Sequence, residues 1–141
     1  MPRFLLRCLL LVLLPLLAWP VGAASSRRDA LDQAQYAWSE AIRWGNFESA
    51  WGQVDPDVRA AHPLTDIDFS RYKQLQVAGY RDLGSSVVGG SQVQRRIEIT
   101  VVNRNTQQVR TVLFQERWRF DPASKTWWQT TGLPDFWQDP D

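Results

Sequence analysis

Thiols, histidines and glycine-rich loops are scarce in this chain, and each shortage closes off a chemistry. One cysteine, Cys8, and one histidine, His62, occur in 141 residues. They do not make up the Cys/His set that holds a zinc ion, and a lone thiol has no disulfide partner, so no metal and no cofactor is expected. No phosphate-binding glycine loop, Ser-His-Asp arrangement or paired-carboxylate spacing is present. Surplus basic charge is lacking too. Beyond residue 23 the chain carries 14 basic and 15 acidic residues, a net charge of −1. Its adjacent basic pairs are Arg27-Arg28 and Arg95-Arg96. Nucleic-acid binding rests on a concentrated basic surface, so nucleic acid is not an expected partner.

The first residues have the order of a secretory signal. Arg3 and Arg7 precede an apolar run from Cys8 to Trp19, interrupted by Pro15, and Pro20 and the small-residue stretch Val21-Gly22-Ala23-Ala24 come next. A membrane-spanning helix needs about 20 apolar residues, more than this run offers between its prolines. Residues 1–23 therefore read as a cleavable signal peptide and 24–141 as a single mature domain, exported to a periplasm or to the medium with no stable membrane insertion after cleavage. Cys8 lies within the apolar run and leaves with the signal. The mature domain must then rest on a packed core without disulfides, and about 118 residues suffice for one such core. Seven of the eight tryptophans remain to build it or to face a ligand.

The mature chain is helical first and extended later. Leu31, Ala34, Trp38, Ala41 and Ile42 share one face of a helix from Arg28 to Trp44. Gly45 suits a left-handed cap, and Asn46 caps a second helix with Phe47, Ala50, Trp51 and Val54 on its apolar face. Asp55-Pro56 ends or bends that helix. Thr65 and Asp68 have capping-box spacing for a short helix from Asp66 to about Tyr72. The period then changes to two. A strand runs from Leu75 to Val88 with a bulge near Gly79 or Gly84, and Gly89-Gly90-Ser91 turns the chain. Val93, Ile97, Ile99 and Val101 face inward on the next strand, Val112, Phe114, Trp118 and Phe120 on the third, and Thr126–Thr131 forms the last. Helices followed by an antiparallel meander predict an α+β fold, with the N-terminal helices packed on the concave face of a curved sheet of about four strands.

The corner Gly45-Asn46-Phe47-Glu48-Ser49-Ala50-Trp51, after a helix bearing Trp38 and Trp44, resembles that of the nuclear transport factor two-like superfamily. The closing strands with Arg117-Trp118-Arg119-Phe120 and Trp127-Trp128 are also similar, and the resemblance spans residues 28–134. It implies helices closing one side of a strongly bent sheet with a pocket between. It implies no single function, since dehydratases, isomerases and transport factors share the fold.

The candidate site comes from the register of the central hairpin. Matching the apolar faces through a two-residue Asn105-Thr106 loop sets Ile99 opposite Val112, Ile97 opposite Phe114 and Arg95 opposite Glu116. The two charged exceptions to the apolar pattern then meet. Such a pair either floors a ligand pocket, with Arg95 as anchor and Glu116 as orienter or base, or pairs for structural reasons at a wet strand end. Ligand-binding candidates are Arg95, Glu116, Tyr80 and Trp118. His62, Tyr80 and Glu116 are candidate acid–base groups, although a loop histidine and half-buried tyrosines also have purely structural uses. Trp127 and Trp128 must face opposite sides of their strand, so one is a core residue, while the other, with Trp44 off the main helix stripe, is a candidate to stack on a sugar or a partner protein. The reading is an exported non-catalytic module for a small amphipathic ligand or an envelope protein. The alternative is a dehydratase- or isomerase-type enzyme with an Arg95/Glu116 pocket. N-terminal sequencing of the exported protein is expected to find cleavage after Ala23 or Ala24; a chain still starting at Met1 contradicts a cleaved signal.

Overall fold

The computed structural model describes residues 21–138. The arginines, apolar run and prolines of the expected signal, and the final acidic residues, lie outside the described residues. Among those described, α1 spans Val21–Arg43, α2 Phe47–Trp51, α3 Pro56–Ala61 and α4 Asp66–Lys73, followed by β1 Leu75–Gly89, β2 Gln92–Asn103, β3 Val109–Asp121 and β4 Thr126–Gln129. The fold is α+β, with an unclosed antiparallel sheet in the order β1-β2-β3-β4. No described helix is long and apolar enough to cross a membrane.

The turn residues act where the sequence places them. Gly45 adopts φ 72°, and Asn46 N–H reaches back to the Ala41 carbonyl at 2.8 Å while Gly45 N–H bonds Ile42, closing α1 in a Schellman arrangement. Asn46 then accepts the Ser49 amide and opens α2. This corner seats Trp38, Ala41, Ile42, Phe47 and Ala50 in one core. Thr65 and Asp68 form the expected capping box of α4.

Three local expectations need correction. Asp55-Pro56 opens a helix that the sequence reading lacked: Asp55 accepts the Asp57 amide and Pro56 takes the first turn, where a missing N–H costs nothing. α2 stops at Trp51, before Val54, because Val54 bridges Gln129 of β4 and Asp55 N–H bonds the Gln129 carbonyl. The β2–β3 loop is longer than two residues. Asn103 N–H bonds the Gln108 carbonyl, and the Asn103 side chain accepts the Asn105 and Thr106 amides around Gln107 at φ 60°. Both loops give one register, so Arg95 still faces Glu116, Ile97 Phe114 and Ile99 Val112.

β1 is bulged between Val77 and Gly79, between Asp82 and Gly84, and again before Gly89. Each bulge inserts a residue and reverses which side chains face inward. Val77 faces in opposite Val101; an unbroken strand would next turn Gly79 and Arg81 inward, but after the first bulge it is Tyr80 that stands opposite Ile99 on the inner side. Arg81 turns outward to Glu98 at 2.8 Å.

Two aromatic groups fill the core. Trp38 of α1 meets Trp118 of β3 edge to face, with centroids 6.1 Å apart, a geometry that adds about 0.5–1.5 kcal/mol to burial. At the other end Phe47, Tyr72, Phe136 and Trp137 pack together, and the Tyr72 hydroxyl donates to the Pro134 carbonyl, tying the C-terminal segment to α4. Trp127 is buried and Trp128 half-buried, on opposite faces of β4.

A second charged contact locks the start of α3 to the sheet. Asp55 accepts both Nε and Nη2 of Arg119, at 3.0 and 2.6 Å. Burial alone would raise the Asp55 carboxyl, but the Arg119 guanidinium and the Asp57 amide outweigh it and hold the group below its ordinary range. A carboxylate depressed in the folded state adds stability above its unfolded value, about 3.9, and loses it as the pH falls through the lower folded one. Asn still caps a helix, so Asp55→Asn isolates the charge. In urea titrations the variant is expected to be less stable than wild type at pH 7, with the gap narrowing below about pH 4. A gap independent of pH contradicts this account.

Candidate functional site

The inner face of the sheet brings four sequence candidates to two adjoining places. Arg95 (β2) and Glu116 (β3) are paired across the hairpin, and Trp118 comes after Glu116 on the same face of β3. Tyr80 arrives from β1 through the Gly79 bulge. Arg95 Nε and Nη2 donate to Glu116 Oε1 at 3.0 and 2.7 Å, and the Trp118 indole N–H donates to the same oxygen. The Tyr80 hydroxyl donates to Oε2 at 3.0 Å. Glu116 is fully buried, and both its oxygens are engaged.

The helix supplies a part that the sequence reading missed. Ser39, on the rim of the inner stripe of α1, accepts Arg95 Nη2 at 3.2 Å and donates to the Gln35 carbonyl. Its signal was a small hydroxyl residue beside the buried Trp38, but the strand it would meet was not readable from the helix. Asp82 stands 3.7 Å from Arg95 Nη1 at the exposed side. Gln35 Nε2 and Trp38 Nε1, on the same helix, are buried with no hydrogen-bond partner among the described residues.

Burial pushes the Glu116 carboxyl above the usual range, against the pull of the Arg95 charge and of the Trp118 and Tyr80 donors. Burial and the neighbouring carboxylate likewise push the Tyr80 hydroxyl up, so at neutral pH it is a donor and not a base. A catalytic base needs a lone pair that a substrate proton can reach. Here Glu116 is fully buried, with Oε1 accepting Arg95 and Trp118 and Oε2 accepting Tyr80.

His62 is elsewhere. It is the exposed C-cap of α3, with its backbone N–H on the Val58 carbonyl, and no described hydrogen bond joins it to Arg95, Glu116 or Tyr80. Asp68, which the sequence places near it, is engaged with Thr65. Among the described residues no group of three or more His, Cys, Asp and Glu side chains is placed to hold a metal ion.

Open space lies beside the network. A cleft of about 450 Å³ separates the end of α1 from β1, lined by Glu40, Arg43, Trp44 and Val77–Tyr80. Tyr80 is the wall between cleft and network: Arg43 lies over its ring at 5.4 Å and bonds its carbonyl, while its hydroxyl points to Glu116. Trp44 is 82% exposed, and its indole N–H is held by Glu40 Oε2 at 3.0 Å. Of the four ligand-binding candidates, Tyr80 alone lines one of the described clefts; Arg95, Glu116 and Trp118 line none of them.

No family model matches the chain, and no curated protein matches it. Solved structures do. A Sec-C motif containing protein from Psychrobacter arcticus aligns over 76% of this chain with a TM-score of 0.56 at 10% identity, and the alignment spans 63% of that protein, under two thirds of its length. The chain is similar to it in fold. Its structural neighbours also include a ketosteroid isomerase-like protein from Erwinia carotovora (14% identity, 72% of this chain and 89% of that one, TM-score 0.49). A third is a member of the NTF2-like family from Streptomyces avermitilis (13% identity, 74% and 92%, TM-score 0.45).

Removing one partner of a buried ion pair strands the other, which costs about 3–5 kcal/mol, whereas replacing both by apolar groups costs far less. Arg95→Met is therefore expected to destabilise by about that amount in urea unfolding, and Arg95→Met/Glu116→Leu to recover part of the loss. Additive losses would show that the two side chains do not act as a pair.

Proposed function

We propose that this protein is a small exported, non-catalytic binding module whose recognition site is the cleft between the end of α1 and β1. Export is supported by the order of the N-terminal residues: basic, apolar, then small. The observation that carries the binding reading is the enclosure of Glu116: it is fully buried, Oε1 accepts Arg95 and Trp118, and Oε2 accepts the Tyr80 hydroxyl. The inner face is thereby built as a cross-braced core. Solvent-facing recognition chemistry gathers instead around Trp44, where an exposed ring, a carboxylate and a guanidinium border one cleft.

One observation favours the rival, an acid–base enzyme of dehydratase or isomerase type. Tyr80 touches both the cleft and Glu116, so a single side-chain rotation separates a buried carboxyl from a bound molecule. The indole N–H signals distinguish the two readings in a nitrogen–proton NMR spectrum. Titration with a panel of small aromatic and alicyclic acids and ketones, the ligand chemistry of the rival reading, is expected to leave the Trp118 signal in place. Ligands that shift Trp118, with the shift abolished in Glu116→Gln, would put the site in the sheet interior and overturn the binding reading.

A further inference from the structure

The outer side of α1 carries a second pattern beside its buried stripe. Tyr36, Glu40, Arg43 and Trp44 stand at i, i+4, i+7 and i+8, on one strip of the helix turned away from the core. Tyr36 is 69% exposed and Trp44 82%. At 1.5 Å per residue the two aromatic residues are about 12 Å apart along the axis, with the acidic and basic residues between them. Both residues leave large aromatic surface in water on the same strip, where each offers a ring for stacking.

From this strip, and from the proposed binding role of the α1–β1 cleft on which the inference rests, we infer that the ligand is an extended, uncharged glycan. Four features point to that chemistry. The Trp44 N–H is taken by Glu40, which fixes the ring and leaves its apolar face as what it offers a ligand; the C–H face of a pyranose is the matching surface. Glu40 and Arg43 stand 4.0 Å apart and together present acceptors and donors suited to ring hydroxyls, while their charges cancel and select for no ionic ligand. The cleft is shallow and open, about 450 Å³, with room for a sugar ring but no closed apolar channel for a lipid chain. The distance to Tyr36 exceeds one ring, so an oligomer touches both aromatics where a monosaccharide touches one, and linked contacts bind more tightly than separate ones.

An added peptide strand is the competing occupant, because β1 is the edge of the sheet. Against it, Arg43 already covers the Tyr80 carbonyl, and the Gly79 bulge breaks the regular row of backbone groups that strand addition uses.

The test is a nitrogen–proton NMR titration with cellotetraose, chitotetraose and maltotetraose, with the monosaccharides and an uncharged valine-threonine hexapeptide alongside. At least one tetrasaccharide is expected to shift the Trp44 indole and the amides of residues 36–44 with a dissociation constant of about 1 mM or below. Its monosaccharide should bind about tenfold more weakly, and Tyr36→Ala should weaken the tetrasaccharide by a similar factor while leaving the monosaccharide unchanged. Tyr36 is exposed, so the variant retains the core. Silence from every saccharide overturns the glycan assignment. A response to the peptide alone at Val77–Tyr80 also overturns it, yet leaves the α1–β1 cleft as the binding site; acids or ketones shifting Trp118 remove both.

Discussion

A carboxylate removed from water has to be met by donors on all sides, and in this protein that requirement falls on Glu116. Its partners come from three strands and, through Arg95, from a helix: Arg95 from β2, Trp118 from β3, Tyr80 from β1, with Ser39 of α1 holding the far side of the guanidinium. Each depends on a different structural decision. Arg95 requires the hairpin register, Tyr80 the bulge before Gly79, and Ser39 the seating of α1 over the sheet. A slip of one residue in β2 or β3 would turn Arg95 or Glu116 to solvent and its apolar neighbours with it. The network therefore couples strand register to helix position, which a purely apolar interior would specify less sharply.

The same coupling bears on function. Groups already joined in short, mutually satisfied bonds are poor at meeting a newcomer, since a ligand would have to replace contacts worth more inside the protein than in water. Trp38 against Trp118 further fills the space that a more open cone would leave empty. The recognition proposed on the outer side of α1 would cost no such rearrangement. Glu40 orients Trp44, and Arg43 rests on Tyr80, so these side chains are held before any ligand arrives.

Two further regions of the molecule are secured by separate means. Asp55 and Arg119 tie the start of α3 to β3, while Tyr72, Phe136 and Trp137 bind the C-terminal segment against α4. Arg71 over Trp137, at 4.2 Å, covers this packing from outside. With no cysteine among the described residues, these side-chain clamps hold the segments together without disulfides.

Local chemistry made much of this legible. Gly45-Asn46 and Thr65/Asp68 act within a few residues of themselves, and the two-residue period of β2 and β3 fixes which side chains share a face, so helix ends, register and the meeting of Arg95 with Glu116 could be read directly. Asp55-Pro56 carried a helix-start signal as well, but the same pair also reads as a break, and only the Val54–Gln129 bridge selects between them. The sequence by itself determined the α+β order and the pairing of the central hairpin, because both rest on periodicity and short-range turns. Tertiary structure alone decided that Tyr80 and not Arg81 reaches Glu116, that Ser39 completes the guanidinium, that His62 stays outside, and that the cleft opens beside Trp44. Those outcomes depend on where bulges fall and how α1 sits across the sheet, contacts between residues up to 56 positions apart that no local pattern encodes.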